Sequence, residues 1–226
     1  MISLPDFYTQ LQQNIGKFAL THGRQPENIK LLAVSKRQPV SAIRAVYNLG
    51  QRDFGENYLQ EAIPKISELG KTAINWHFIG PVQTNKTRVI AAHFHWVHSV
   101  DRAKIAKRLS DARDENLPKL NVCIQVNISA ESTKSGVDPV ELGELVSLCR
   151  ELPRIKLRGF MALPLPTADF FRQRQAFKQV RELLNQYNTD NCMDTLSMGT
   201  TQDLEAAIAE GATIVRVGTA LFGSRQ

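Results

Sequence analysis

Residues 31–36 read Leu31-Leu32-Ala33-Val34-Ser35-Lys36: an unbroken apolar run closed by a small hydroxyl residue and one lysine. A continuous run, rather than an alternating one, marks a strand covered on both faces, as in a parallel sheet flanked by helices. Working outward, this run (30–35) is joined by others of the same kind near 52–54, 75–79, 94–98, 120–126, 155–161, 194–196 and 213–217. Helical periodicity fills the intervals, near 39–49, 57–68, 84–92, 101–114, 138–150, 169–187 and 202–209. An extra helix precedes the first strand over about 6–22, with Phe7, Leu11, Ile15 and Phe18 on one face. Pro39, Asp101 and Pro139 suit helix starts, and Gly50, Gly70 and Gly211 suit helix ends.

Strands and helices in strict alternation predict an α/β fold, and eight strands with seven helices between them predict a (β/α)8 TIM barrel with an added N-terminal helix. An open, doubly wound parallel sheet is the second choice. Only Gly218 to Gln226 follow the eighth strand, so no helix is expected there, and the N-terminal helix is placed to fill the gap in the outer ring. Without a linker, low-complexity tract or repeat, residues 1–226 are expected to form a single domain.

Bulk composition excludes several classes. The hydrophobic fraction is 42% and the charged fraction 22%, ordinary for a globular chain. Cys123, Cys149 and Cys192 are odd in number and widely spaced, which argues for a reducing compartment with neither a structural disulfide nor a zinc site. No secretory leader or membrane-length apolar stretch is read in the sequence, so a cytoplasmic protein is expected. The net charge of +6 raises the question of nucleic acid. Arg102, Lys104, Lys107, Arg108 and Arg113 are interleaved with Asp101, Asp111, Asp114 and Glu115, however, and no stacking aromatics accompany them. A solvated mixed-charge face is the better reading.

If the runs are barrel strands, three segments meet at one rim, the C-terminal ends where such folds place their chemistry. Lys36 offers an amine. Ser197-Met198-Gly199-Thr200-Thr201 and Gly218-Thr219 offer hydroxyls, backbone N–H groups and the start of a helix near Thr201 or Gln202, the parts of a phosphate cradle. Arg216 shares a face with Ile214 and offers a fixed cation that needs an acceptor. Amine, phosphate cradle and cation are the parts needed to hold pyridoxal 5'-phosphate (PLP). Each part also has a plainer reading: a solvated lysine, a Gly/Thr turn capping a helix, an arginine paired with a carboxylate. Asn57 stands either beside the ligand or as the cap of the helix after strand two. His77 reads as a satisfied buried histidine rather than a catalyst.

Two motifs lead nowhere. Gly70-Lys71-Thr72 resembles the end of a phosphate-binding P-loop, but Lys65 stands at its first glycine and the segment ends a helix instead of starting one. His93, His95 and His98 have a spacing that splits them across strand faces, so no metal site is expected.

Taken together, Val34-Ser35-Lys36, Phe54-Gly55-Glu56-Asn57-Tyr58, Trp76-His77-Phe78-Ile79-Gly80 with Gln83 and Asn85-Lys86, Ser99-Val100-Asp101, Gly159-Phe160-Met161, Ser197-Met198-Gly199 leading to Asp203, and Val215-Arg216-Val217-Gly218-Thr219 with Phe222-Gly223 resemble the pyridoxal phosphate homeostasis proteins, the PLP-binding YggS/PROSC family. The resemblance spans nearly the whole chain. It implies a barrel like the N-terminal domain of alanine racemases (PLP fold type III), with PLP as cofactor in a Schiff base on Lys36. By the same resemblance Arg216 faces the pyridine nitrogen, Ser197, Gly199, Thr200 or Thr201, Gly218 and Thr219 hold the phosphate, and Asn57 lies beside the ring. The chain departs from the pattern at Thr200-Thr201, where the family more often shows Met-Ser, leaving open which threonine donates. Phe160 and Val82 replace leucines.

An arginine at the pyridine nitrogen favours the unprotonated ring, a weaker electron sink. Racemases with that arrangement rely on a second domain and a partner's tyrosine; here only ten residues follow Arg216, and Tyr8, Tyr47, Tyr58 and Tyr187 fall on predicted helices. The expectation is therefore a non-catalytic, monomeric PLP-binding regulator of PLP homeostasis and amino-acid and keto-acid balance, with PLP and PLP-requiring apoenzymes as partners. A racemase-class enzyme and a nucleic-acid or protein-interaction module are the alternatives.

Overall fold

Strands of three to seven residues with apolar groups on both faces can satisfy their backbones only by pairing sideways under a cover of helices. A computed structural model describes residues 3–129 and 135–223. Its elements run α1 (Leu4–Thr21), β1 (Lys30–Val34), α2 (Val40–Asn48), β2 (Asp53–Glu56), α3 (Leu59–Leu69), β3 (Asn75–Phe78), α4 (Thr87–His93), β4 (Trp96–Val100), α5 (Ala103–Ala112), β5 (Leu120–Gln125), α6 (Leu142–Glu151), β6 (Ile155–Met161), α7 (Phe170–Tyr187), β7 (Thr195–Ser197), α8 (Leu204–Ala209), β8 (Ile214–Val217) and α9 (Thr219–Phe222). The strands form a closed barrel in sequence order, all pairs parallel, and β8 returns to β1 with Leu32 opposite Arg216. Closure rules out the open sheet.

The apolar groups sort into two layers. A small inner cluster of Leu32, Trp96, Cys123, Met161 and Ile214, with Ile79 against it, fills the barrel. A larger outer cluster packs strand residues such as Ala33, Phe54, Val97 and Val215 against helix residues such as Ile43, Leu109 and Ala207. α1 contributes Leu11, Ile15 and Ala19 to that layer and packs on α8 and α9, so it does cover the closing strands. Gly159 in β6 is required by its surroundings: its φ is +147°, and a Cβ there would lie 1.9 Å from the Thr195 carbonyl oxygen across the β6–β7 seam.

Several boundaries differ from expectation. A short α9 does follow β8. α6 starts at Leu142 rather than at Pro139, because the Asp138 carboxylate accepts from the Val140 N–H and holds a turn first. Asp101 does not cap α5, which begins at Ala103; its carboxylate is held by Arg102 at 2.6 Å. Asn57 does not cap α3, whose flanking residue is Tyr58 with no side-chain cap.

Candidate functional site

At the C-terminal ends of the strands lies a cavity of about 370 Å³, lined in part by Lys36 and Val34 from the end of β1, Asn57 after β2, and Arg216, Gly218 and Thr219 at the end of β8. Thr200 and Thr201 line it from the β7–α8 loop. The structure thus brings together seven of the nine residues singled out in the sequence. Gly199 borders a smaller adjoining cavity with Thr200 and Arg216, and Ser197 lies beneath, fully buried. Gln38, Leu163 and Gln202 line the main cavity too. No spacing rule marks them, because each comes from a loop.

The turn that carries Lys36 is anchored on both sides. Ser35 turns outward, away from the cavity, and donates its hydroxyl to Glu56 Oε1 at 2.7 Å. Lys65 Nζ reaches from α3 to the same carboxylate oxygen at 2.8 Å and to the Ser35 carbonyl at 2.8 Å. Arg37, at φ +61° in the left-handed region that costs a non-glycine residue about 1–2 kcal/mol, donates its backbone N–H to Glu61 at 2.7 Å. These contacts hold the backbone on either side of the half-buried Lys36. Burial pushes the Glu56 carboxyl above its ordinary range, against the opposing pull of Lys65 and Ser35. The Lys65 anchor had a sequence signal: it shares a helix face with Ala62 and Leu69, both buried.

Arg216 is 5% exposed. Its Nη1 donates to the Ser197 carbonyl and to Ser197 Oγ (2.8 Å), and Nη2 donates to the Ala162 carbonyl at 2.9 Å. None of its hydrogen bonds among the described residues goes to a carboxylate, which sets aside the plainer reading of this arginine. Burial pulls its pKa down to about 10, so it remains a cation at neutral pH.

The β7–α8 loop is built differently from a simple helix start. α8 begins at Leu204, and the preceding turn is closed by Asp203, whose Oδ1 accepts from the Thr200 backbone N–H at 2.6 Å and the Thr200 hydroxyl at 2.8 Å. Gly199 has φ +94°, and a Cβ on it would sit 2.5 Å from the Ala207 Cβ, so glycine is needed there for packing against α8. Asn57 brings a buried Oδ1 with no partner among the described groups. Groups of three or more metal-ligating side chains are absent among the described residues.

A cavity in the range of about 300–1,000 Å³ suits a small molecule, and an amine, a guanidinium, exposed hydroxyls and an unmatched amide oxygen suit one bearing an aldehyde, phosphate and ring heteroatoms. The alanine racemase N-terminal domain model matches residues 8–226. A pyridoxal phosphate homeostasis protein of Pseudomonas aeruginosa is 54% identical over 225 residues, covering 100% of this chain and 97% of that one. The chain belongs to the pyridoxal phosphate homeostasis family. Within reach of that family's fold, PipY of Synechococcus elongatus, solved with PLP bound, superposes with a TM-score of 0.78 at 37% identity, covering 92% of this chain and 100% of its own. Alanine racemase from Corynebacterium glutamicum shares the fold alone: TM-score 0.68 and 19% identity, over 95% of this chain and 60% of the racemase. Among the described residues no helix is long and apolar enough to cross a membrane.

Proposed function

We propose that this chain binds PLP as a Schiff base on Lys36 and acts as a non-catalytic holder of the cofactor in cellular PLP homeostasis and amino-acid and keto-acid balance. The observation that carries the reading is that Lys36 and Arg216 line one cavity together with the hydroxyls of the β7–α8 loop and Thr219. When bound, PLP supplies an aldehyde that the lysine amine can condense with, releasing water. Lys36 provides that amine from a turn fixed on either side. Arg216 presents a cation that cannot hand a proton to a ring nitrogen, so it orients the ring without activating it. Thr201 and Thr219 are exposed at the rim and offer hydroxyl donors to the phosphate, while the unmatched Asn57 Oδ1 can accept from the hydroxyl borne by the ring.

The carrier reading is further supported by what surrounds the cavity. Apart from Lys36, its described lining consists of amides, hydroxyls, apolar groups and Arg216, with no side chain suited to exchange protons near neutrality on the opposite side of a bound ring. Tyr58 lines a separate cavity of about 260 Å³. PLP-requiring apoenzymes are the proposed recipients, and three free cysteines fit a reducing, cytoplasmic setting.

An absorption spectrum followed by borohydride reduction and peptide mapping tests the reading. A visible band that reduction removes, with a pyridoxyl mass on Lys36, is expected. A colourless protein left unmodified after added PLP would overturn it. Chiral analysis after incubation with L-alanine should find no racemisation; turnover would place the chain among the enzymes.

A further inference from the structure

Arg216 is a buried cation whose hydrogen bonds among the described residues all go to neutral oxygens; Asp203, which lines the adjoining cavity with it, favours its charge without such a bond, an arrangement that calls for further compensation. The barrel interior supplies it at a distance. Arg216 Nη1 bonds Ser197 Oγ at 2.8 Å, Ser197 Oγ bonds His98 Nδ1 at 2.7 Å, His98 Nε2 bonds His77 Nδ1 at 2.9 Å, and His77 Nε2 bonds Asp53 Oδ1 at 2.9 Å. These links descend from the cavity end of β8 through β7, β4 and β3 to the first residue of β2, at the opposite end of the barrel. There Lys30 and Asn75, the first residues of β1 and β3, each stand 3.4 Å from the same Asp53 oxygen. Trp96 covers the chain from the side, its ring stacked on His77 at 5.4 Å.

Its direction is forced. Burial opposes the charge on Asp53, yet the hydrogen bond from His77 and the charge and hydrogen bond of Lys30 hold its pKa below the usual carboxylate value, so it only accepts. His77 must then carry its proton on Nε2. Burial keeps His77 neutral in spite of Asp53, and keeps His98 neutral with the charges of Arg216 and Lys30 adding to the effect. A neutral His77 leaves Nδ1 as acceptor, so His98 donates from Nε2; a neutral His98 leaves its own Nδ1 as acceptor, so Ser197 donates its hydroxyl. The Ser197 oxygen is then an acceptor for Arg216. Every donor points from the guanidinium toward the carboxylate, and bonds polarised in one sense reinforce each other.

We propose that Ser197, His98, His77 and Asp53 are positioning residues that form one directional relay, holding the Arg216 guanidinium against the cofactor cavity from the far end of the barrel. This rests on the PLP-binding reading only for its consequence, which is cofactor retention. Ser197, on this view, serves the site from below through Arg216.

Nitrogen-15 NMR of histidines in the wild-type protein without added PLP tests the relay itself. His77 and His98 should both be neutral with the proton on Nε2; a proton on His98 Nδ1, or an imidazolium at either ring near neutral pH, would overturn it. PLP release from the loaded protein tests the consequence. Asp53→Asn and His98→Leu should release PLP about tenfold faster, the equivalent of about 1.4 kcal/mol, while His98→Gln, whose amide can accept from Ser197 and donate to His77, should recover most of the loss. Unchanged release from both breaking variants, with PLP still trapped on Lys36, would end the positioning role and leave the PLP reading intact. A wild-type protein that takes up no PLP would end that reading, with the NMR still deciding the relay. Should a variant fail to fold, the wild-type tautomers decide.

Discussion

Asp203 accepts both the backbone N–H and the hydroxyl of Thr200 through a single oxygen, at 2.6 and 2.8 Å. Both donors of Thr200 are thereby spent inside the loop, whereas the Thr201 side chain is exposed at the cavity rim. The two adjacent threonines therefore divide: Thr200 shapes the loop, and the Thr201 hydroxyl stands exposed at the cavity rim.

Thr201→Ala should raise the dissociation constant for PLP about tenfold, the worth of one hydrogen bond to a charged group, with the urea midpoint unchanged. Thr200→Ala should lower the midpoint by loosening the turn. Equilibrium dialysis and urea denaturation on both variants check the division, and the reverse pattern would refute it.

Lys36→Ala should remove the borohydride-trapped adduct entirely. Non-covalent binding through Arg216 and the loop hydroxyls should persist at lower affinity, visible by fluorescence titration. Adduct surviving on another lysine would move the covalent site.

Lys65→Met strips the partner from a fully buried carboxylate, Glu56, and should cost about 3–5 kcal/mol in urea unfolding. It also frees the Ser35 carbonyl, so trapping at Lys36 should slow. An unchanged midpoint would mean that Glu56 is already neutral in the folded protein, the direction in which burial pushes it.

The paired histidines make folding sensitive to mild acid. His77 and His98 have pKa values below the ordinary imidazole value in the folded protein, so below about pH 6.5 the unfolded chain binds protons that the native one does not. Stability should fall as pH drops from 7 toward 5, by up to about 1.4 kcal/mol per pH unit for each histidine. His98→Gln should flatten that slope. A slope equal to that of the wild type would show that these rings are not the acid-labile groups.

The barrel was legible because its strands are continuous apolar runs, and each run lies on or within two residues of an observed strand. Arg216 was legible because strand alternation turns it to the same side as Ile214, and Lys36 because it follows directly on the first apolar run, on the turn after β1. α9 was not: the four residues Thr219–Phe222 are too few for a helical period to register. The start of α8 was misplaced because Asp203 closes the turn by accepting from Thr200, which a search for helix caps cannot distinguish from capping. Pro139 signalled a helix where a turn held by Asp138 came first. The relay escaped for a different reason. His77, His98 and Ser197 each read as an isolated polar residue in an apolar strand, and only ring closure brings Ser197, 99 positions along the chain from His98, into contact with it.

Barrel closure also governs when the site comes into being. Leu32 pairs with Arg216 across the β1–β8 seam, so Lys36, on the turn just after β1, and the guanidinium on β8 flank the seam that closes the ring, yet lie far apart in order of synthesis. A chain emerging from the ribosome carries Lys36 early but has no cation or Gly218-Thr219 loop until β8 follows. Occupancy of the cavity is thus a certificate of a finished molecule: a nascent or circularly opened chain would hold an ordinary lysine, and only the completed ring can keep a ligand.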